Sequence, residues 1–213
     1  MIPKMNLLYK YEKYQDLSDK TVAKDFFRFA ADYASADHMM VIFWDHGGGP
    51  ITGEEFALNY DGSDNRFMPS NDIVDVVESV KEFRISHGKQ IDMIGFDCCL
   101  MGSVEIAYAL RDCASYMVAS EEMEPLDGWN YYWLQIFNEI SGDMPKNQML
   151  EAIGRRIVDL YPGDKIVDKT DHSTLDDVGK AIEKWEDRDP DFYNGTLALI
   201  DLSRNGKSDG HRY

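Results

Sequence analysis

His46 and Cys99 each stand two positions beyond the end of a short apolar run, residues 38–44 ahead of the histidine and residues 91–97 ahead of the cysteine. Both runs read as buried strands. If the two strands are neighbours, imidazole and thiol share one edge of a sheet. A cysteine nucleophile needs a nearby base, or a nearby cation that lowers its pKa. It also gains from a helix N-terminus, which favours the thiolate. The stretch 101–113 reads as a helix that Cys99 opens, so both conditions can hold. Residue type alone leaves a plainer reading open, in which Cys99 is a small buried hydrophobe and His46 a loop residue beside glycine. Asp45 either orients His46 or caps the turn. Cys113 falls inside the helix over 101–113 and reads as buried and inert, His87 precedes a glycine but follows a helix and reads as its end, and His38, His172 and His211 have no partner pattern.

The elements that would position these residues follow from periodicity. Residues 18–34 read as a helix capped by Ser18, with Val22, Phe26, Phe29 and Tyr33 on its inner face. The strand over 38–44 runs into a glycine-rich turn, Gly47-Gly48-Gly49-Pro50, and residues 51–69 read as a long loop. A helix over 71–85 has Ile73, Val76, Val77 and Val80 inward, a cap at Ser70 or Asn71, and its end at His87-Gly88. After the strand over 91–97 come the helix over 101–113, a strand over 115–119 and an acidic loop over 120–128. Helices over 129–140, 146–160 and 173–187 precede a last strand over 196–202. Strands alternating with helices predict a mostly parallel sheet covered on both faces. Ligands bind such sheets outside the carboxyl ends of the strands, where His46 and Cys99 lie.

Composition narrows the function classes. Lys plus Arg is 22 and Asp plus Glu is 39, for a net charge of −17. That charge repels phosphate backbones and anionic lipid, so neither nucleic acid nor a membrane is expected as a partner, whereas a cationic substrate is electrostatically suited. No apolar run is long enough to span a bilayer. The opening Met1-Ile2-Pro3-Lys4-Met5 lacks the apolar core of a signal peptide, which leaves a signal removed earlier open. Three cysteines, two of them adjacent, make neither a disulfide framework nor a CxxC zinc pair. The expectation is no cofactor and no metal.

An apolar strand followed by His-Gly, then a second apolar strand ending in a small residue and Cys, resembles the shared pattern of caspases, legumain, gingipains and clostripain. The separation of His46 and Cys99 is similar to the roughly 50 residues between the two in caspases. The sequence is most similar to the clostripain family, in Val41-Ile42-Phe43-Trp44-Asp45-His46-Gly47-Gly48-Gly49 and in Phe96-Asp97-Cys98-Cys99-Leu100-Met101. Val118-Ala119-Ser120-Glu121-Glu122, Asp127-Gly128-Trp129 and Thr196–Leu202 extend the resemblance over nearly the whole chain.

The resemblance implies a caspase-like three-layer α/β sandwich and a cysteine endopeptidase with a Cys99–His46 dyad. Cys98 takes a place the family fills with alanine and is read as packing. By the same resemblance the backbone N–H groups of Gly47 and Cys99 form the oxyanion hole. Asp97 and Asp127 receive an Arg or Lys side chain of a peptide or protein substrate. Self-cleavage between His46 and Cys99 is expected after Arg66, the only basic residue in the 50–69 loop. Some relatives depend on calcium, but Asp61–Asn65 lacks the glycine and distal glutamate of an EF-hand loop. A secreted or cell-envelope location is expected by resemblance. The family carries a strand upstream of the first helix and structure after the last strand, which residues 1–17 and 204–210 do not supply. The chain is therefore expected as a single caspase-like peptidase domain over 1–213, either whole or as a fragment lacking those elements. Two rival readings are an inactive peptide-binding relative and a metal-dependent hydrolase using His46 with Asp45 and Asp97. The presence of both His46 and Cys99 weighs against the first, and the shortage of further histidines at strand ends against the second.

Overall fold

Successive side chains along each strand point to opposite faces of one sheet. The computed structural model describes residues 8, 10, 15–50, 57–61, 66–125, 128–161 and 197–201, of which 57–61, 66 and 197–201 are described in backbone only. Strand β1 (Met40–Trp44) pairs in parallel with β4 (Met93–Asp97), and β4 pairs in parallel with β5 (Tyr116–Ser120). Strand β6 (Leu197–Asp201) lies antiparallel on the far side of β5. The order is β1-β4-β5-β6. Val41, Phe43, Ile94, Phe96, Met117 and Ala119 point to one face, and Met40, Ile42, Met93, Tyr116 and Val118 to the other. Two-sided burial explains why these strands read as continuous apolar runs.

Helices cover both faces. On the first lie α1 (Lys20–Ala34), α2 (Ser70–Ser86) and α3 (Val104–Leu110), and on the second a 3₁₀ helix (Tyr131–Asn138) and α4 (Lys146–Asp159). This is the three-layer α/β architecture expected from the alternation of elements. Ile73, Val76, Val77 and Val80 of α2 are buried as their spacing predicts. The end at His87-Gly88 also holds: the His87 N–H donates to the Arg84 carbonyl and the Gly88 N–H to the Ile85 carbonyl, and Gly88 adopts φ +70°.

Several expectations are corrected. The inner face of α1 is Ala23, Phe27 and Ala31, while Phe26, Phe29 and Tyr33 are exposed. The helix carries two apolar stripes, and periodicity cannot say which of them meets the sheet. Its cap is Asp19, whose side chain accepts from the Thr21 N–H, and not Ser18. The predicted loop over 51–69 contains an antiparallel hairpin, β2 (Ala57–Asp61) with β3 (Arg66–Pro69). The helix over 101–113 is one short helix that starts only at Val104. The stretch 129–140 holds a 3₁₀ helix over Tyr131–Asn138, and the predicted helix over 173–187 falls outside the described residues.

Behind the amino ends of the strands, buried Arg84 ties three chain segments together. Its Nε donates to the Gln90 carbonyl at 3.1 Å, Nη1 to Ala36 at 2.7 Å and Nη2 to Asp37 at 3.0 Å. Those carbonyls flank the approaches to β1 and β4, so the guanidinium fixes how the two strands start side by side. Arg84→Met should lower the free energy of unfolding by roughly 2–4 kcal/mol, because three carbonyls lose a charged donor. Arg84→Lys should recover little of it, since an ammonium cannot reproduce the fork. Urea denaturation checks this, and a loss below about 1 kcal/mol in the Met variant would contradict the role.

Candidate functional site

The three parallel strands end on one edge, so the chain leaving each meets the other two. Trp44 stands opposite Asp97 across β1 and β4. Asp45-His46-Gly47 and Cys98-Cys99-Leu100 therefore run side by side. A Cβ on Gly47 would overlap the Cys99 carbonyl oxygen and come within 3.0 Å of the Cys99 nitrogen. Only glycine allows that approach, and it seats the peptide after His46 directly on the Cys99 backbone. His46 is exposed, and its N–H donates to Asp45 Oδ1 at 2.7 Å. The Asp45 carboxylate thus takes the capping place in the turn.

The loop carrying Cys99 is pinned from the other side by the chain leaving β5. The Gly102 N–H donates to the Ser120 carbonyl at 2.6 Å and the Leu100 N–H to Glu122 at 2.9 Å. Ser120 Oγ donates to the Glu122 carbonyl at 3.0 Å and accepts from its N–H at 3.1 Å. Leu100 is held at φ +64°, a left-handed conformation that costs a residue with a side chain on the order of 1 kcal/mol. The Glu124 N–H donates to Cys99 Sγ at 3.2 Å, and the thiol faces the Glu124 carbonyl at 3.9 Å.

Cys99 does not open a helix, contrary to the sequence expectation. Helix α3 begins at Val104, capped by Ser103, whose Oγ accepts from the Ile106 N–H at 3.3 Å. Glycine at 102 and the close pass of Ser120 take up the intervening chain. Burial pushes the Cys99 thiol up from its ordinary value, and the Glu124 N–H offsets only part of that. Cys98, fully buried, is pushed well above the usual range by burial and then by the charges of Glu124 and Asp97.

Two residues before Cys99, on the face of β4 that also carries Met93 and Gly95, Asp97 is only 2% exposed. Its Oδ1 accepts from the Trp129 N–H at 2.9 Å and its Oδ2 from the Tyr131 hydroxyl at 2.9 Å. Gly128 adopts φ +65°, and a Cβ there would lie 2.7 Å from Asp97 Oδ1 and 2.9 Å from the Trp44 indole nitrogen. Glu124, 9% exposed, approaches the same carboxylate. Its Oε1 accepts from the Trp129 Nε1–H at 3.3 Å, and its Oε2 is buried with no donor. Burial raises the Asp97 carboxyl, against the hydrogen bonds from Tyr131, Trp129 and Glu124. Burial, then the Asp97 charge, pushes Glu124 up to about 9. Tyr131 is raised by burial and by the same charge.

Of the residues singled out in the sequence, His46, Gly47, Cys99 and Asp97 thus converge at one sheet edge. Asp127 lies outside the described residues, between Pro125 and the Gly128 that packs on Asp97. Arg66 is the first residue of β3, opposite Asp61. Its surroundings are a paired strand start and not the loop expected. Among the described residues no three His, Cys, Asp or Glu side chains gather as metal ligands. Sequence reasoning did not find Tyr131. Its one signal is a position two residues past Trp129, in a segment already marked by Asp-Gly-Trp.

Comparison with known proteins bears on this edge. Residues 5–204 match the Clostripain family of C11 peptidases. Clostripain from Hathewaya histolytica is 27% identical over 139 residues, covering 61% of this chain and 26% of that protein. The fold is similar to a secreted C11 cysteine protease from Bacteroides thetaiotaomicron in complex with an irreversible peptide inhibitor. There the TM-score is 0.59 at 21% identity, over 88% of this chain and 46% of that one. An inactive zymogen C11 protease from Parabacteroides distasonis gives a TM-score of 0.51 at 17% identity, over 92% of this chain and 43% of that one. The chain spans less than half the length of each of these relatives. These likenesses identify the sheet as caspase-like, and a match along nearly all of its length makes this chain a member of the Clostripain family.

Proposed function

We propose that this protein is a cysteine endopeptidase that cleaves peptide bonds after arginine or lysine, with Cys99 as nucleophile and His46 as its proton-transfer partner. The observation that carries the reading is the seating of the peptide after His46 on the Cys99 backbone, which only Gly47 permits. The raised thiol sets the order of events: Cys99 rests protonated at neutral pH, so His46 must take its proton as the sulfur attacks. The carbon–sulfur bond forms while the carbonyl oxygen gains charge. The N–H groups of Gly47 and Cys99 receive that oxygen, and one such donor is typically worth a factor of roughly 10²–10³ in rate. His46 then returns the proton to the departing amine as the carbon–nitrogen bond breaks. Water, deprotonated by His46, releases the acyl group and restores the thiol.

The preference for basic residues rests on Asp97. A carboxylate this deeply buried is costly without a cation, and a guanidinium or ammonium beside it removes that cost. By family resemblance Asp127 is its partner in the pocket. Processing after Arg66 belongs to the same proposal, with the hairpin having to open for the Arg66–Phe67 bond to be cut. Secretion is proposed as well, from the secreted Bacteroides relative; no described helix is long and apolar enough to cross a membrane.

A peptidyl acyloxymethyl ketone with arginine next to the reactive group should modify Cys99 and leave Cys98 free, as peptide mapping by mass spectrometry reads out. Cys99→Ala should abolish turnover, while Cys98→Ala keeps at least about a tenth of it. In His46→Ala, alkylation of Cys99 by iodoacetamide at pH 7 should fall at least about tenfold and recover as the pH rises through the elevated thiol pKa. Label on Cys98, or an unchanged rate in His46→Ala, would reject the dyad.

Turnover of matched peptides with Arg, Lys, Asp or Ala before the cleaved bond should favour Arg and Lys. Asp127→Ala should lower kcat/KM for the Arg peptide by about 30-fold or more and leave the Ala peptide nearly unchanged. An equal drop for both peptides would mean that Asp127 supports the fold and not specificity. N-terminal sequencing of the active enzyme should find a chain beginning at Phe67; a single intact active chain would refute cleavage after Arg66.

A further inference from the structure

The Glu124 side chain is in a position that its backbone role does not explain. Its N–H reaches Cys99 Sγ, while its carboxyl group turns back into the interior to meet Asp97 and the Trp129 indole. Both carboxyl groups are at least nine-tenths buried. Asp97 has two donors of its own, from Trp129 and Tyr131, but Oε2 of Glu124 has none. Among the described residues, the titratable groups that face the pair are Tyr131 on the 3₁₀ helix and Cys98 after β4, with the Cys99 thiol next to Glu124. Each of these is neutral or negative, so none compensates a second buried negative charge.

Two adjacent carboxyl groups in such a place cannot both be ionised without a cation. One proton held between them removes the repulsion, and Oε2 is the oxygen left to carry it. The same arrangement accepts a positive side chain once it arrives: a guanidinium entering beside Asp97 supplies donors for the orphaned oxygen and the charge that lets the second carboxyl ionise.

We propose that Glu124 is a second carboxylate of the specificity pocket, sharing one proton with Asp97 while the pocket is empty and releasing it when the basic side chain of the substrate binds. This rests on the reading that the pocket at Asp97 takes Arg or Lys. It adds a residue and an exchange of proton for cation that the preference alone does not require. Glu124 then connects recognition to the reacting atom, because the residue that gains charge also holds Cys99 Sγ through its own N–H.

The sign of the pH dependence follows from the exchange. The empty pair holds its proton up to about pH 9, and the cation-bound pair loses it at lower pH. Between those two points, cation affinity should rise by about tenfold per pH unit, because each bound cation displaces one proton. Outside that window it should level off.

The test uses agmatine, a guanidinium on an alkyl chain, as a reversible ligand of the full chain. Calorimetry from pH 6 to 9, in buffers of different ionisation enthalpy, gives both affinity and protons released. For the wild type we expect an affinity that strengthens with pH by about tenfold per unit within the window, and release approaching one proton per agmatine. Glu124→Gln keeps an acceptor for Trp129 and gives Asp97 an amide donor, but it cannot ionise. It should bind agmatine with affinity that varies less than about twofold over the same range and should release no proton. Comparing the variant with the wild type cancels any contribution from Cys99 or His46. The same slope and proton release in Glu124→Gln would overturn the role of Glu124 while leaving the basic preference standing. No agmatine binding by the wild type, together with equal turnover of Arg and Ala peptides, would overturn the preference and this inference with it. If Glu124→Gln does not fold, agmatine binding to the wild type without proton release suffices to reject the exchange.

Discussion

A carboxylate buried at the end of a central strand is the constraint around which the functional edge is organised. Asp97 lies on the face of β4 that packs against Trp129, where water cannot solvate it. Leaving such a group unpaired costs several kcal/mol, so the surrounding chain must supply donors. It does so with the segment Gly128–Tyr131, which packs against the end of β4. The Trp129 N–H and the Tyr131 hydroxyl bind the two oxygens, and Gly128 takes a left-handed conformation where any side chain would strike the carboxylate. Trp129 also covers Gly95, where a Cβ would come within 2.9 Å of its ring. The small residue in the middle of β4 and the acid at its end are thus parts of one arrangement.

The loop carrying the thiol depends on the chain between β5 and that segment. Leu100 is held left-handed, Gly102 passes against Ser120, and the Glu124 N–H anchors Cys99 Sγ. The strain at Leu100 is small beside the hydrogen bonds that fix the chain on either side of it. No helix terminus assists the thiolate, because α3 begins well after Cys99. Cys98 and Cys99, adjacent in sequence, differ in environment: the first points into the core and is pushed up furthest, while the second is half-buried at the edge.

Much was settled by the sequence alone. The largely apolar stretches 38–44, 91–97 and 115–119 read as buried strands, and the residues immediately after them then fall at the sheet edge. His46, Gly47, Asp97 and Cys99 were therefore legible as neighbours once the strands were taken to be parallel. Other features were not legible, because local sequence is ambiguous about what an element meets. Helix α1 offers two apolar stripes, and contact with the sheet through Ala23, Phe27 and Ala31 chose between them. The stretch 101–113 has helical periodicity, yet its first turn is displaced where Gly102 has to clear the Ser120 backbone. The acidic run Glu121-Glu122-Met123-Glu124 gives no hint which carboxyl turns inward. Only tertiary structure decided that it is Glu124, because only there does the chain, held by its N–H on Cys99, bring the side chain to the Trp129 indole and the Asp97 carboxylate.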